Sequence, residues 1–348
     1  MVKAGIAGMG FMGWIHYLAY QRCDNVQLTA FCTRDEAKLN GDWTSIKGNF
    51  GPAGEVVDVS DLKTYSDLDD LIGDPEIDLI DICLPPMLHV DVAVAALNAG
   101  KHVLIEKPMA LSTSECDAIV AAAQANGKQA LVAHVLPFFP EHMYLRGLVE
   151  SGEYGALLGG HFDRVISDPL WLDDFWDMEK VGGPLVDLHV HDAHLIRVLF
   201  GMPNAVSTNG RMRGDVVEYF NSQFLFDDPS LVVSATSGVL RQQGRSFMHG
   251  YEVHFEQATV QFRSAFHVDK ADISSLKVID SQEQVIRPDL GDADEVSAFV
   301  LEISEAANAI ESGNASALLG GDLARDAIEL CHAQASSAAG GEVVVMDN

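Results

Sequence analysis

Hydrophobic and polar positions along the first 130 residues follow a pattern typical of a parallel sheet covered by helices. Short apolar runs indicate buried strands, and the amphipathic stretches between them indicate helices. Gly100 and Gly127 end two of these helices, and Ser112 with Glu115 forms a capping box at the start of one. The predicted strands are Val2–Ala7, Val26–Cys32, Glu55–Asp58, Ile77–Leu84, His102–Ile105 and Gln129–His134, and the predicted helices are Met12–Arg22, Asp67–Ile72, His89–Ala99 and Thr113–Asn126.

The pattern changes after about residue 150. A glycine- and tryptophan-containing loop leads into a predicted helix from about Asp187 to Phe200, and strand-like segments separated by turn signals then predict a mostly antiparallel sheet. We therefore predict two domains, a doubly wound parallel α/β domain over residues 1–130 and an α+β domain over 131–348. The later strands are Ala205–Arg213, Val216–Phe226, Leu231–Ser237, Phe247–Gln257, Ala258–Phe266 and Leu276–Ile279, with helices near Val296–Glu311 and Leu323–Ala335.

Composition narrows the class of protein. The 348 residues carry a net charge of −29, which disfavours binding to a nucleic acid because phosphate backbones are held by Lys and Arg. Five cysteines without a C-x-x-C pair argue against a disulfide framework or a structural zinc site. No apolar run approaches the ~20 residues that span a bilayer, and no signal-peptide pattern is seen, so we expect a cytoplasmic protein that does not enter a membrane.

A glycine fingerprint lies in the first strand–helix turn. Gly8, Gly10 and Gly13 form G-x-G-x-x-G directly after a predicted strand, with Phe11 and Met12 between the last two glycines. In a Rossmann domain these glycines permit the tight turn, the approach of a pyrophosphate and close helix–strand packing, and the phosphates sit on the helix N-terminus. The sequence therefore predicts a Rossmann domain that binds NAD(P)(H).

The end of the second strand bears on the choice of cofactor. An NAD site usually has an acid there to bind the ribose 2′-hydroxyl, whereas Thr33 and Arg34 occupy this place. A hydroxyl followed by a guanidinium suits a 2′-phosphate, so the pattern favours NADP. In the alternative, Arg34 is solvated and Asp35 binds the ribose.

Two further patterns carry candidate catalytic groups. Glu106, Lys107 and Pro108 follow the fifth strand, at the edge where open α/β sheets bind ligands. A lysine there can donate to a substrate oxygen, although a lone lysine at a strand end is more often a surface residue. Asp187 and His191 are four residues apart in the sequence GGPLVDLHVHDAH, so they share one helical face, where a carboxylate supports imidazole as a general base.

The glycine fingerprint, the Glu-Lys-Pro triplet and the D-x-x-x-H pattern, in this order, resemble the glucose-fructose oxidoreductase / inositol dehydrogenase (Gfo/Idh/MocA) family along essentially the whole chain. The resemblance implies that Lys107, Asp187 and His191 form the catalytic group. It further implies hydride transfer between nicotinamide C4 and a carbon of a sugar, sugar derivative or cyclitol. It also implies cofactor contacts from Leu84, Pro85, His89, Glu106 and Lys107.

The chain departs from the family pattern at several positions. The usual T-P-N-x-x-H after the fourth strand is here LPPMLH, which keeps Pro85 and His89 but has Leu84 and Pro86 in place of Thr and Asn. His189 stands where a glycine is usual, and His194 where an aspartate is usual. The substrate is therefore not assigned as a simple hexose or inositol, and the roles of these two histidines are left open.

Two other functions compete with this prediction. His189, His191, Asp192 and His194 form a dense cluster that could bind zinc in a metal-dependent hydrolase, although no H-E-x-x-H motif is present. A non-catalytic NAD(P)-binding regulator is the other alternative, because a fold does not by itself determine function. The presence of all three catalytic residues favours a working dehydrogenase or reductase, with no metal.

Several other residues are candidates for contacting a small polyhydroxylated substrate. Each has an ordinary structural alternative, such as core packing or a surface ion pair. The open face of the predicted antiparallel sheet is a natural surface for a homodimer or homotetramer. The substrate candidates are His134, Arg164, Trp171, Trp176 and His194.

Overall fold

The computed structural model describes residues 1–172 and 174–346. Its contacts divide the chain into two compact units, one made of Met1–Phe139 with Asp292–Arg325 and the other of Pro140–Gly291 with the chain from Asp326 onward. The predicted boundary between residues 130 and 131 concerns independently folding domains and stays a prediction. None of the helices in the described chain is both long enough and apolar enough to cross a membrane.

The first unit contains a six-stranded, wholly parallel sheet. Its strand order, β3-β2-β1-β4-β5-β6, is the Rossmann order, as predicted. Four of the six strands are fully or almost fully buried, which explains their continuous apolar runs. The strands are β1 (Val2–Ala7), β2 (Val26–Cys32), β3 (Lys63–Tyr65), β4 (Leu79–Ile82), β5 (His102–Glu106) and β6 (Ala130–Ala133).

Helices of the first unit flank this sheet, and one of them comes from far along the chain. The apolar face of that helix, α8, includes Phe299 and Ile303 and belongs to the same buried core as Ile15 and Ala19 of α1. Ser112 and Glu115 form the predicted capping box at the start of α5. The helices of this unit are α1 (Phe11–Tyr20), α2 (Glu36–Leu39), α3 (Leu68–Gly73), α4 (His89–Asn98), α5 (Thr113–Asn126) and α8 (Ser297–Ser312).

The predicted strand Glu55–Asp58 is wrong. Val56 makes only an isolated bridge to Asp42, and the third strand of the sheet is Lys63–Tyr65, paired with Ala30–Cys32. The segment around Val56 is instead a loop that encloses the fully buried Trp43, whose backbone N–H donates to the Glu55 carbonyl. Val57 packs against the core cluster that contains Trp43, whereas Val56 is exposed.

The second unit is built on a nine-stranded sheet in the order β14-β13-β12-β11-β7-β10-β9-β8-β15. Every neighbouring pair is antiparallel except β7 and β10, which confirms the predicted mostly antiparallel sheet. The strands are β7 (Leu157–Ser167), β8 (Ala205–Arg213), β9 (Val216–Leu225), β10 (Val232–Leu240), β11 (Arg245–Phe255), β12 (Ala258–His267), β13 (Ala271–Asp280), β14 (Val285–Ile286) and β15 (Val344–Val345).

The helix α6 (Pro140–Ser151), the central strand β7 and the two-residue strands β14 and β15 of the second unit were not predicted. The helix α6 follows a proline-rich stretch, which reads as a loop although proline is well tolerated in the first turn of a helix. The central strand β7 begins Leu157-Leu158-Gly159-Gly160, where paired glycines weaken the strand signal. The remaining helices are α7 (Val190–Phe200) and α9 (Gly321–Gly340), and one turn of π-helix, Leu185–His189, precedes α7.

Candidate active site

The glycine loop after β1 has the geometry of a dinucleotide cradle. Gly8 has φ of +105°, and a Cβ there would lie 2.7 Å from the carbonyl oxygen of Cys83. A Cβ at Gly13 would clash with the carbonyl oxygen of Gly8, whereas a Cβ at Gly10 would meet nothing within 4 Å. The space left open at Gly10 lies at the N-terminus of α1, where the N–H groups of Phe11 and Met12 begin the helix. The loop therefore fits a pyrophosphate.

The end of β2 places Thr33 and Arg34 beside this loop, with Arg34 exposed. Asp35 caps α2, because one of its carboxylate oxygens accepts the N–H groups of Ala37 at 3.0 Å and Lys38 at 3.3 Å. The structure thus gives Asp35 a capping role that is separate from any ribose contact.

Lys38 is a cofactor candidate that sequence reasoning missed. Its Nζ donates to the carbonyl oxygen of Met9 in the glycine loop at 2.8 Å, which brings a second cation to the loop near Arg34. The four-residue spacing between Arg34 and Lys38 could have indicated that the two side chains lie near each other. It was missed because α2 is a single turn, too short to show a helical pattern of apolar residues.

The ends of β4 and β5 hold the other predicted cofactor residues of the first unit. The peptide bond between Lys107 and Pro108 is cis. The backbone N–H of Lys107 donates to Oε2 of Glu106 at 3.0 Å. Leu84 and Pro85 follow β4, and the Leu84 side chain lies next to Gly8. These residues therefore lie at the carboxyl edge of the sheet, where ligands of this fold bind.

His89 is fully buried and connects the two loops at this edge. Its Nδ1 lies 2.9 Å from the carbonyl oxygen of Pro108, and its Nε2 lies 2.8 Å from that of Leu84. Burial lowers the pKa of His89, although both backbone contacts act in the opposite direction. Through these two contacts, His89 links the loop that contains Leu84 with the loop that contains Lys107.

In the second unit, Gly182 and Gly183 both adopt positive φ, +77° and +69°, and lead into the π-helical turn. Asp187 lies in this turn and His191 in the first turn of α7. Between residues 182 and 196 these two are partly exposed, and all the others are buried. The structure therefore keeps a carboxylate and an imidazole, four positions apart, on the accessible side of an otherwise buried segment.

The other histidines of this segment face the interior. His189 packs edge-on against Phe220, and its Nε2 lies 3.1 Å from the side-chain nitrogen of Gln334. Burial lowers the pKa of His189 to about 3, so this imidazole is neutral at pH 7. His194 is also fully buried. These positions fit core packing better than a role in a metal site.

Arg164 and Asp192 form a buried, two-pronged ion pair. Nε of Arg164 lies 2.6 Å from one carboxylate oxygen, and Nη2 lies 3.1 Å from the other. Burial raises the pKa of Asp192, and Arg164 offsets part of that effect. Arg164 and Asp192 are therefore bound to each other inside the fold. A substrate contact by Arg164 stays a prediction.

The remaining substrate candidates lie in different settings. Trp171 is 65% exposed, whereas Trp176 donates to Asp168 at 3.0 Å and has the guanidinium of Arg213 4.1 Å above its ring. His134 follows β6 in the first unit and is buried. Of the two tryptophans, Trp171 has the more accessible ring.

A metal centre at residues 189–194 is not favoured. Within residues 1–172 and 174–346, one group of side chains has its donor atoms close enough together to hold a metal ion. It consists of His16, Asp81 and Cys83 and lies in the first unit. Asp192 is paired with Arg164, and His189 points to Gln334.

The parallel sheet and its glycine loop define a nucleotide-binding Rossmann protein of the oxidoreductase class. Residues 2–134 match the family model described as oxidoreductase family, NAD-binding Rossmann fold, and residues 142–261 match the GFO/IDH/MocA C-terminal domain. The chain belongs to the GFO/IDH/MocA oxidoreductase family, which confirms the resemblance drawn from its motifs.

Curated relatives include the inositol 2-dehydrogenase of Salmonella typhimurium, 32% identical over 166 residues, or 46% of this chain and 45% of that protein. An uncharacterized oxidoreductase of Streptococcus pneumoniae is 27% identical over 226 residues, or 64% of this chain and 57% of that protein. The chain thus spans about half the length of these relatives.

Solved structures share the fold over the full chain. A levoglucosan dehydrogenase in complex with NADH and levoglucosan has a TM-score of 0.79 at 20% identity and covers 100% of both chains. The aldose-aldose oxidoreductase of Caulobacter crescentus has a TM-score of 0.79 at 20% identity and covers 99% of both chains. At such identity the likeness shows the architecture alone.

Proposed function

We propose that this protein is an NAD(P)-dependent dehydrogenase or reductase that acts on a CH–OH group of a sugar, sugar derivative or cyclitol. The observation that carries the proposal is the selective exposure of Asp187 and His191 in an otherwise buried segment. Relatives and structural neighbours named for inositol, levoglucosan and aldoses support the substrate class.

The chemistry assigned to the chain's own residues is proton handling and orientation. The bound nicotinamide supplies the hydride acceptor or donor. His191 takes the hydroxyl proton during oxidation and returns it during reduction, while Asp187 orients the ring and favours its protonated form. Lys107 donates a hydrogen bond to the substrate oxygen. Gly8, Gly10, Gly13 and the N-terminus of α1 hold the pyrophosphate.

For the adenosine end we propose a preference for NADP. Exposed Arg34 and half-buried Lys38 place two cations at the end of β2, and Thr33 adds a hydroxyl. Because Asp35 caps α2, its carboxylate is less available to a ribose 2′-hydroxyl. Two cations and a hydroxyl suit a 2′-phosphate.

The test is a screen of sugars, sugar acids and cyclitols with NAD and with NADP, followed by absorbance of the reduced nicotinamide. Turnover with at least one polyol is expected. If the protein binds the cofactor in a calorimetric titration but turns over no polyol, the result would indicate a non-catalytic NAD(P)-binding regulator instead. Enzymatic activity that is lost on addition of a chelator and restored by zinc would indicate a metal-dependent hydrolase.

We further propose a homodimer or homotetramer in the cytoplasm, assembled through the face of the second sheet that carries Val165. Val165 points away from α7, because its neighbour Arg164 points towards Asp192, and it forms a small apolar cluster with Met248 and Ala265. All five cysteines are free thiols, as expected in a reducing compartment. Light scattering at micromolar concentration measures the assembly, and a monomer would contradict it.

A further inference from the structure

A buried ionic chain lies in the first unit, behind the residues at the end of β5. His16 of α1 is fully buried, with Nδ1 2.8 Å from Oδ2 of Asp81 on β4. On the opposite side of the ring, Nε2 lies 3.1 Å from Oε1 of Glu106, the last residue of β5, which is an ion-pair contact without the alignment of a hydrogen bond. One imidazole therefore lies between two carboxylates.

The surroundings of His16 favour its charged form. Burial alone lowers the pKa of His16, but the Asp81 side chain beside Nδ1 outweighs it, and the pKa lies well above the usual value. Burial raises the pKa of the neighbouring groups Cys83, Tyr20 and Glu302 of α8, which disfavours their charged forms. The His16 ring, with its charged form favoured, thus lies between the side chains of Asp81 and Glu106.

Glu106 extends this chain to Lys107. While Oε1 of Glu106 faces His16, Oε2 accepts the backbone N–H of Lys107 at 3.0 Å. On the other side of Lys107, the carbonyl oxygen of Pro108 lies 2.9 Å from Nδ1 of His89. The backbone on both sides of Lys107 is therefore held by buried side chains.

A metal ion does not explain the cluster. The donor atoms of His16, Asp81 and Cys83 lie within 4.8 Å of one another. However, Nδ1 of His16 lies 2.8 Å from Oδ2 of Asp81, so these two atoms already satisfy each other through a direct hydrogen bond.

We propose that His16 is a positioning residue for Lys107: its imidazolium fixes the Glu106 carboxylate, which in turn fixes the backbone that carries the lysine. This inference rests on the proposed role of Lys107 in catalysis. A small misplacement of an orienting group can cost about a hundredfold in rate, so the expected effect is large even though His16 touches neither substrate nor cofactor.

The experiment compares His16→Gln with His16→Asn. The side-chain amide of Gln reaches about as far as Nε2 and keeps a donor for Glu106, whereas that of Asn reaches about as far as Nδ1 and keeps a donor only for Asp81. Both variants lose the charge, and we expect similar losses in Tm. The first measurement is the backbone amide proton shift of Lys107 by NMR, which needs neither substrate nor cofactor.

We expect the amide proton of Lys107 to keep its downfield, charge-assisted shift in His16→Gln and to move upfield in His16→Asn. In turnover, His16→Asn should lower kcat about ten- to a hundredfold with little change in the KM for the cofactor, and His16→Gln should restore most of it. Equal amide shifts in both variants, or kcat losses that merely follow Tm, would overturn the proposal.

The wild-type protein provides a measurement that no folding defect can obscure. Ring-nitrogen NMR should show both nitrogens of His16 protonated at neutral pH, and a ring without a proton on Nε2 would overturn the proposal. If no polyol is turned over, the amide and ring signals still decide the role of His16, so that failure belongs to the proposed function alone.

Discussion

At the residue scale, the glycines of the first loop differ in what they allow. Gly8 and Gly13 have backbone atoms where a side chain would begin, so substitution there strains the fold itself. Gly10 has φ of −96° and open space, so a side chain is tolerated by the protein and excluded only by a ligand. The fold itself therefore requires glycine at positions 8 and 13, whereas only a bound ligand would require it at position 10.

Gly10→Val should therefore abolish most NAD(P) binding while the protein stays folded, because the new side chain fills the space for the pyrophosphate. Calorimetric titration measures binding, and circular dichroism with Tm provides the control for folding. Affinity equal to wild type in a folded variant would remove the glycine loop from the cofactor site.

Arg34→Ala tests the choice of cofactor. Loss of one charge-assisted pair costs about 1.5–3 kcal/mol, which corresponds to roughly ten- to a hundredfold in Kd for NADP. NAD lacks the 2′-phosphate, so its Kd should change little. Lys38→Gln is the matched variant, and we expect a smaller effect in the same direction because Lys38 also bonds to Met9. Equal losses for both cofactors would contradict the preference for NADP.

At the scale of elements, the π-helical turn before α7 is the feature that sets Asp187 and His191. Such turns are rare and occur frequently at functional sites. The D-x-x-x-H pattern predicts a shared face, but it does not reveal that the helix begins as a π-turn. The wider turn depends on the two positive-φ glycines before it and on the buried partners of His189.

His191→Ala should lower kcat by roughly 10²–10⁴-fold, the usual range for loss of a general base, with cofactor affinity nearly unchanged. Steady-state kinetics on a polyol from the screen and a cofactor titration measure the two effects. His267→Ala, at an exposed histidine near the end of β12, is the matched control and should keep wild-type turnover. A His191→Ala enzyme with near-normal kcat would exclude the role.

Most elements could be predicted from the sequence because their apolar periodicity matches their burial. The exceptions have local causes: Val57 packs against the cluster around Trp43 from a loop, and Pro140 begins a helix directly after a proline-rich stretch. For the candidate site, motifs indicate Lys107, Asp187 and His191. The role of His16 depends on strands β4 and β5 coming together, which no local pattern encodes.

At the scale of the whole molecule, buried imidazoles set the response to acid. Burial and then Arg164 lower the pKa of His142 to about 3, whereas an unfolded chain protonates it near 6.5. As the pH falls from about 6.5 towards 3, the unfolded state takes up a proton that the folded state refuses, so the free energy of unfolding falls. His189, with a pKa also about 3, acts in the same direction.

His142→Phe should flatten this dependence, since the phenyl ring cannot titrate among its aromatic neighbours. Between pH 6.5 and 5 the wild type should lose about 1.6 kcal/mol more than the variant, because the slope for one imidazole rises from half of ~1.36 kcal/mol per pH unit at pH 6.5 to nearly all of it at pH 5. Urea unfolding at several pH values measures the slope. Parallel curves for the two proteins would show that His142 titrates in the folded state.

The helix α8 has a consequence for how the chain is made. It lies about 160 residues beyond β6, yet Phe299 and Ile303 complete the core around α1. During synthesis an apolar surface of the nucleotide-binding part stays uncovered until the ribosome has released the chain through α8, which ends at Ser312. A fragment ending at Phe139 would keep that surface exposed and should therefore be prone to aggregation.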